Sequence, residues 1–421
     1  MTPRETLKRC CAAALAAVDG RRVTAEALAG PASPLLPSHV PVLAMGKAAT
    51  AMLAGAADAL GPAIGPALAV TRPDSVRPGE PGVAAAEVIY GDHPVPGAAS
   101  LAAGRRVTAF CSRLDPRGSL LVLLSGGASA LVEHPAAGVS RTDLGRANRW
   151  LLASGLAISE VNAVRRRLSA IKGGGLARAT AARRVVVLAV SDVPGNAPEV
   201  IGSGPFSATA APALPGGLPA WLQRLVAKRE APGNRSPSPE VDFRVVADAD
   251  AAAGAAVAWG RFRGFEARLH EPLLAGGTID AVGRLLADHL EAAGRGIHVW
   301  RGETSPVLPP AAGRGGRNRH LALGLALALE SRRARDITLL CTATDGSDGS
   351  GDAAGGWADP DVAARIRACG LDPAAAFTGA DSGPVLEAAG QAFVTGPTGT
   401  NVMDLVLAVS GSGLCAGQPP G

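Results

Sequence analysis

The sequence predicts an α/β protein of two domains with mainly parallel sheets, and three observations carry that prediction. The chain has 421 residues, 47% of them hydrophobic, enough for more than one packed core. Short apolar runs ending in Gly, Ser or Asp alternate with longer stretches of helical periodicity, the pattern of repeated βα units. Glycine and proline, 54 and 33 residues, are scattered without a collagen-like period and therefore punctuate many turns.

In chain order the candidate strands are PVLAM (41–45), AEVIY (86–90), LLVLL (120–124), VVVLAV (185–190), FRVVA (243–247), IHVW (297–300), ITLLC (337–341) and DLVLAV (404–409). Most lack polar alternation, as strands covered on both faces do. The N-terminal stretch places Arg4, Glu5, Lys8 and Arg9 ahead of CCAAALAAV, which suits an amphipathic helix better than a signal peptide. Further helices are expected over 48–60 and 320–329. The polar, Pro-rich segment 229–242 reads as a linker. It divides the chain into an N-terminal domain, 1–235, and a C-terminal domain, 236–421. No tandem repeat suggests a solenoid.

Composition narrows the function classes. A charged fraction of 18% with net charge +5 excludes a chain too polar to collapse. No apolar run approaches the roughly 18 residues that span a bilayer, so the expectation is a cytoplasmic protein with no membrane partner. Six cysteines without a CxxC pair fit buried, reduced thiols better than a disulfide framework. A diffuse positive balance with only seven Phe, five Trp and one Tyr argues against nucleic acid.

Ligands of open parallel sheets lie beyond the carboxyl ends of the strands, so the residues after each apolar run bear the chemistry. Gly46 and Lys47 follow the first. Only four of the 41 basic residues are lysine. Lys47 stands at the expected start of a helix, where a cation is disfavoured unless an anion lies nearby; an exposed loop lysine is the plainer alternative. Ser125, Gly126, Gly127, Ala128 and Ser129 follow 120–124, where bare amides and two hydroxyls suit a phosphate or carboxylate, or where glycine serves a tight turn. There is no Walker A sequence and no GxSxG. Asp192 follows 185–190 directly, at the ligand edge. Asp345, Asp348 and Asp352 crowd one loop, either as hard oxygen donors for a cation such as Mg²⁺ or as a solvated turn. Arg314, Arg317 and Arg319 precede an apolar helix; Arg317 could hold phosphate bidentately. Lys172, before Gly173-Gly174-Gly175, is explained by a helix C-terminus alone. The seven histidines show no ligand spacing, and only His93, in GDHPVP, invites a test.

Together these segments resemble the glycerate 2-kinases of the MOFRL family, a resemblance spanning nearly the whole chain. It rests on MGKAA (45–49), GDHPVP (91–96), LLSGGASAL (123–131), VNAVRRRLSAIKGGGLA (161–177), SDVPGN (191–196), GSGP (202–205), GETS (302–305), GRGGRN (313–318), TDGSDG (344–349) and GPTGTNVMDL (396–405). The resemblance implies two Rossmann-like domains around an interdomain cleft. It implies ATP-dependent phosphorylation of D-glycerate at its C2 hydroxyl with Mg²⁺, and leaves a homodimer open. It singles out Lys47 and Arg317 as the catalytic pair. By inference Asp192 is general base or metal ligand, Glu303, Asp345 and Asp348 are nucleotide or metal contacts, and Arg165 holds the glycerate carboxylate. Gly46, Ser125, Gly126, Gly127, Ser129 and Asn196 complete the substrate and phosphate contacts. Two positions depart from the family pattern: Asn196 stands where Asp is usual and Phe206 where Thr is common. Asn keeps a carbonyl oxygen but loses the charge, weakening any metal contact there. The alternative activity is an NAD(P)H-dependent hydroxypyruvate reductase. The GxGxxG/A match that directly follows a candidate strand, GSGLCA (411–416), leaves no chain for the helix that such a fingerprint requires.

Overall fold

The computed structural model describes residues 1–30, 36–77, 80, 86–207, 213–227, 238–271, 279–292, 294–304, 308–309, 311–332 and 336–411. They form two compact units. One comprises Asp19–Ala247 with Gly399–Asn401; the other comprises Met1–Val18, Asp248–Thr398 and the chain from Val402. The break expected at 235/236 falls within a stretch outside the described residues, as does most of the expected linker. The strand after that stretch continues the first sheet.

The chain begins with α1 (Pro3–Ala17), whose start is capped by Thr2 accepting from the Glu5 amide, and α2 (Gly20–Ala29), capped by Asp19 accepting from Arg22. An N-cap of this kind is worth about 1 kcal/mol. The expected N-terminal helix is present, but it belongs to the second unit: it packs on the helix Ala249–Phe262, and Cys10 Sγ reaches the Ala256 carbonyl at 3.4 Å.

The first unit holds β1 (Val40–Met45), α3 (Ala49–Leu60), β2 (Ile64–Thr71), β3 (Glu87–Tyr90), α4 (Ala98–Ser112) and β4 (Ser119–Ser125). It continues through α5 (Ala128–Leu131), α6 (Arg141–Ala153), α7 (Ile158–Leu168), α8 (Gly175–Ala179), β5 (Arg184–Val190), α9 (Ala220–Ala227) and β6 (Glu240–Ala247). Its sheet runs β3-β2-β1-β4-β5-β6 with every pair parallel, the order of a doubly wound nucleotide-binding sheet. Leu43, Val122, Leu124, Val187 and Phe206 fill its core. A parallel sheet covered on both faces calls for such uninterrupted apolar strands. Phe206, one of the departures from the family pattern, is thus a core residue.

The second unit contains α10 (Ala249–Phe262), β7 (Ala267–Leu269), α11 (Ile279–Ala292), β8 (Gly296–Gly302), α12 (Arg317–Arg332), β9 (Ile337–Ala343) and β10 (Gly355–Ala358). It ends with α13 (Val362–Ala368), α14 (Pro373–Thr378), α15 (Ser382–Ala388), β11 (Ala392–Phe393) and β12 (Asp404–Ser410). Its sheet order is β11-β10-β9-β12-β8-β7. The α/β class holds, but this second sheet is mixed: β7 and β8 are parallel, and the other four pairs are antiparallel. The reason is β12, which is inserted between β8 and β9 and runs against both. All eight candidate strands are present. Four short or weakly patterned ones, β2, β7, β10 and β11, were not foreseen.

Among the described cysteines, Cys10, Cys11, Cys111 and Cys341 are buried thiols, as expected, whereas Cys369 is exposed. Burial pushes the Cys10, Cys11 and Cys111 thiols up to about 12. Among the described residues no helix is long and apolar enough to cross a membrane.

Candidate active site

The first sheet reverses its strand order between β1 and β4, where a doubly wound sheet opens a crevice at its carboxyl edge. The residues leaving those two strands are Gly46-Lys47 and Gly126-Gly127. They are tied together by backbone: the Lys47 amide donates to the Gly126 carbonyl at 2.9 Å, and the Gly46 amide to Val70 at 3.0 Å. Ser125 Oγ accepts from the Ala48 amide at 3.0 Å and donates to the Met45 carbonyl at 3.4 Å. Ser125 is fully buried, so this expected phosphate contact instead holds the two loops in register. Gly46, at φ 121°, leaves no space for a side chain, since a Cβ there would lie 2.3 Å from Ser125 Oγ.

Lys47 runs across Gly127. A Cβ on Gly127, which adopts φ 84° just before α5, would meet Lys47 Cγ at 3.1 Å and His93 Cδ2 at 3.6 Å. His93 therefore borders the same turn, and Arg72 Nη1, at the end of β2, lies 3.5 Å from its Nδ1. Asp192, leaving β5, accepts from Asn401 Nδ2 at 3.1 Å through Oδ2. Gly126 faces this pair: a Cβ there would sit 2.0 Å from both Asn401 Nδ2 and Asp192 Oδ2. The structure thus brings together Gly46, Lys47, Gly126, Gly127 and Asp192, and adds His93, Arg72 and Asn401.

The remaining expected residues of this unit have other surroundings. Ser203 Oγ donates to Asn162 Oδ1 at 3.4 Å, which leaves Ser129 Oγ to donate to Ser203 at 2.8 Å. Arg165 Nε donates to Asn148 Oδ1 at 3.2 Å across α6 and α7, and burial lowers its pKa against the pull of Glu133. Asn196 occupies a left-handed turn position at φ 56°, a conformation that Asn tolerates better than most residues. Lys172 does not close a helix: it is buried in the loop after α7, paired with Glu133, whose other oxygen accepts from Ser169 Oγ at 2.6 Å.

In the second unit Arg317 opens α12. Its Nη2 donates to Glu303 at 2.7 Å and to Asp404 Oδ1 at 2.9 Å, and its Nε donates to Asp404 Oδ2. Burial opposes the guanidinium charge, but Asp404 and Glu303 outweigh it and hold Arg317 above its ordinary value. Asp404 reaches Arg317 because β12 is antiparallel: its first residue pairs with Gly302 and Ala343, the last residues of β8 and β9. Asp348 differs from its expected role as a nucleotide or metal contact. Its oxygens accept from the Asn318 and Arg319 amides at 2.9 and 2.8 Å, and from Arg319 Nε at 3.3 Å. It satisfies N–H groups that the first turn of a helix leaves without partners, and Arg319 is buried with it. Asp345 is half-buried in the loop after β9, with Oδ1 accepting from the Ser347 amide at 2.9 Å.

Residues 6–214 match a domain of unknown function, DUF4147, and residues 296–404 match the MOFRL family. An Agrobacterium vitis protein bearing the provisional name hydroxypyruvate reductase is 38% identical over 76% of this chain and 86% of its own. D-glycerate 2-kinase from Thermotoga maritima is 33% identical over 88% of this chain and 90% of its own. The crystal structure of a glycerate kinase from Thermotoga maritima superposes with a TM-score of 0.79 at 30% identity, covering 97% of this chain and 99% of that one.

Proposed function

We infer the activity from one premise: the chain belongs to the MOFRL family, its MOFRL domain preceded by a DUF4147 domain. It is a glycerate kinase, a phosphotransferase with an alcohol acceptor, and its reaction moves the terminal phosphoryl group of ATP to the C2 hydroxyl of D-glycerate. The observation that carries this reading is the convergence of Lys47, two glycine amides and Asp192 at the strand-order reversal of a parallel sheet. Phosphoryl transfer asks chiefly for positioning and for positive charge around the phosphates.

Lys47 places an ammonium over Gly127, where it neutralises phosphate oxygens. Gly126 and Gly127 let backbone approach those oxygens without Cβ atoms intervening. Asp192, oriented by Asn401, accepts the C2 hydroxyl proton as the oxygen attacks phosphorus. Arg317 offers a guanidinium fixed by Asp404 and Glu303, a fork suited to phosphate. The carboxylate of Asp345 is a hard oxygen donor of the kind that Mg²⁺ prefers, and it is half-buried rather than sealed in the core. Mg²⁺ bound to the nucleotide supplies charge neutralisation on the phosphate oxygens. Arg165 remains the candidate for the glycerate carboxylate, on the strength of its half-buried charge.

The reductase name of one relative favours a second reading, but the loop after β1 reads Gly46-Lys47-Ala48-Ala49-Thr50-Ala51. Ala48 stands where a dinucleotide fingerprint needs the second glycine, which lets backbone approach the pyrophosphate, and GSGLCA lies outside the described residues after Gly411. Phosphorus NMR of the product from D-glycerate and Mg-ATP tests the assignment. The expected product is 2-phosphoglycerate; 3-phosphoglycerate would overturn the regiochemistry. No phosphorylated product, with NADH consumed on hydroxypyruvate, would replace the kinase by the reductase.

A further inference from the structure

Three of the chain's seven histidines meet in the second unit, although 270, 289 and 298 lie too far apart in sequence to suggest a site. His270 follows β7, His289 projects from α11, and His298 lies within β8. One ring nitrogen from each lies within 4.8 Å of the other two. They do not belong to the Arg317 cluster. His298 pairs with Ala408 and Gly302 with Asp404, so four strand residues, about 13 Å, separate His298 from that edge.

The surrounding hydrogen bonds fix which nitrogen of His298 carries a lone pair. The Ser410 hydroxyl donates to the Gly294 carbonyl. Its oxygen is then an acceptor for His298 Nε2, 3.1 Å away, and the Gly294 carbonyl lies 3.4 Å from the same nitrogen. Nε2 therefore bears the hydrogen, and Nδ1 directs its lone pair at His270 Nε2, at 3.0 Å. A ring nitrogen donating to a backbone carbonyl or hydroxyl while its partner nitrogen faces inward is the outer support typical of a metal-bound histidine. Two nitrogens bound tetrahedrally to one Zn²⁺, each about 2.0–2.1 Å from it, sit about 3.3 Å apart, close to the separation observed. Trp300 stacks on His270 with centroids 4.6 Å apart, and His289 stands edge-on to that ring at 4.4 Å. These contacts limit ring rotation in His270. Burial, with the neighbouring imidazoles, lowers the His270 pKa to about 4, and burial lowers that of His298.

We propose that His270, His289 and His298 form a three-histidine site for Zn²⁺, with the fourth coordination position open to water. Such a site fastens β7, an edge strand of three residues, to β8 and α11. Binding exchanges the proton between His270 Nε2 and His298 Nδ1 for the metal; in the neutral ring that proton moves to His270 Nδ1, so no co-reactant is required.

The test uses the full chain, stripped with chelator, dialysed against Zn²⁺ alone and analysed for retained metal and thermal stability. About one zinc per chain is expected, with a rise in Tm on loading. His289→Ala and, as a milder change of the same residue, His289→Gln should each lower retained zinc to near background. Their metal-free circular dichroism should match that of the metal-free parent. His270→Ala should do the same. Zinc retention unchanged in all three variants, or no retention by the unsubstituted chain, overturns the site.

Discussion

Gly126 shows how one missing methyl group can organise a reaction centre. Its α-carbon faces Asp192 and Asn401 so closely that any Cβ would lie 2.0 Å from each. Gly126→Ala must therefore displace the carboxylate proposed to accept the glycerate proton. A misplacement of about 1 Å costs roughly 10²-fold in rate, so kcat should fall by that order. Overpacking costs about 1–3 kcal/mol and should leave the chain folded. Lys47→Ala removes charge needed most in the transition state, and kcat should fall by about 10²–10³-fold with no change in circular dichroism. Steady-state kinetics beside a thermal melt separates the two variants; wild-type turnover in either removes that residue from the mechanism. Lys47 was legible in the sequence because lysine is rare there and because a cation at a helix start implies an anion. Asn401 was not legible as a site residue: it is uncharged and follows no apolar run.

At the level of elements, strand direction decided what could be foreseen. The long apolar strands announced themselves, because a run such as VVVLAV has no solvent face. A run buried on both faces reads alike in either direction, and so DLVLAV gave no sign that β12 opposes its neighbours. Its first residue, Asp404, consequently escaped a reading confined to strand ends, although it is the partner that fixes Arg317. The Gly-rich blocks behave similarly: the Gly173 amide donates to Ser203 at 3.0 Å and the Gly174 amide to Gly204 at 2.7 Å. Those two blocks, distant in sequence, brace one another as backbone. Beside them Lys172 and Glu133 are 4% and 1% exposed, and burial pushes the lysine below its usual range against the pull of Glu133. Lys172→Met leaves a buried carboxylate without its cation, which costs about 3–5 kcal/mol. The urea midpoint should drop accordingly, and adding Glu133→Leu should recover most of the loss. A single variant as stable as the parent would show that the pair contributes nothing.

Across the whole molecule, arginine takes nearly all the basic positions, and carboxylates on both units are held by guanidinium groups. Asp242 is a clear case. It lies on β6, the edge strand of the first sheet, and shares a face with Arg244 two residues on. Arg244 grips it at both oxygens, Nε to Oδ1 at 3.0 Å and Nη2 to Oδ2 at 2.7 Å. These hydrogen bonds lower the Asp242 pKa despite some burial, with the Arg244 and Arg184 charges acting in the same sense. Asp58 beside Arg21 and Glu330 beside Arg367 are lowered for the same reason. Such a group protonates first in the unfolded chain, near the ordinary carboxylate range of about 3.9–4.3. Its stabilisation is complete above that range and disappears as pH falls through the lower folded value. Asp348 and Asp404, raised by burial, contribute with the opposite sign, so a difference measurement isolates Asp242. Asp242→Asn should lower stability at pH 7 and flatten the decline below about pH 4. At high salt, where exposed pairs are screened, the gap between variant and parent at pH 7 should narrow. Urea unfolding at a series of pH values reads both effects. Parallel acid limbs for parent and variant would mean that the Arg244 fork does not hold the Asp242 proton affinity down.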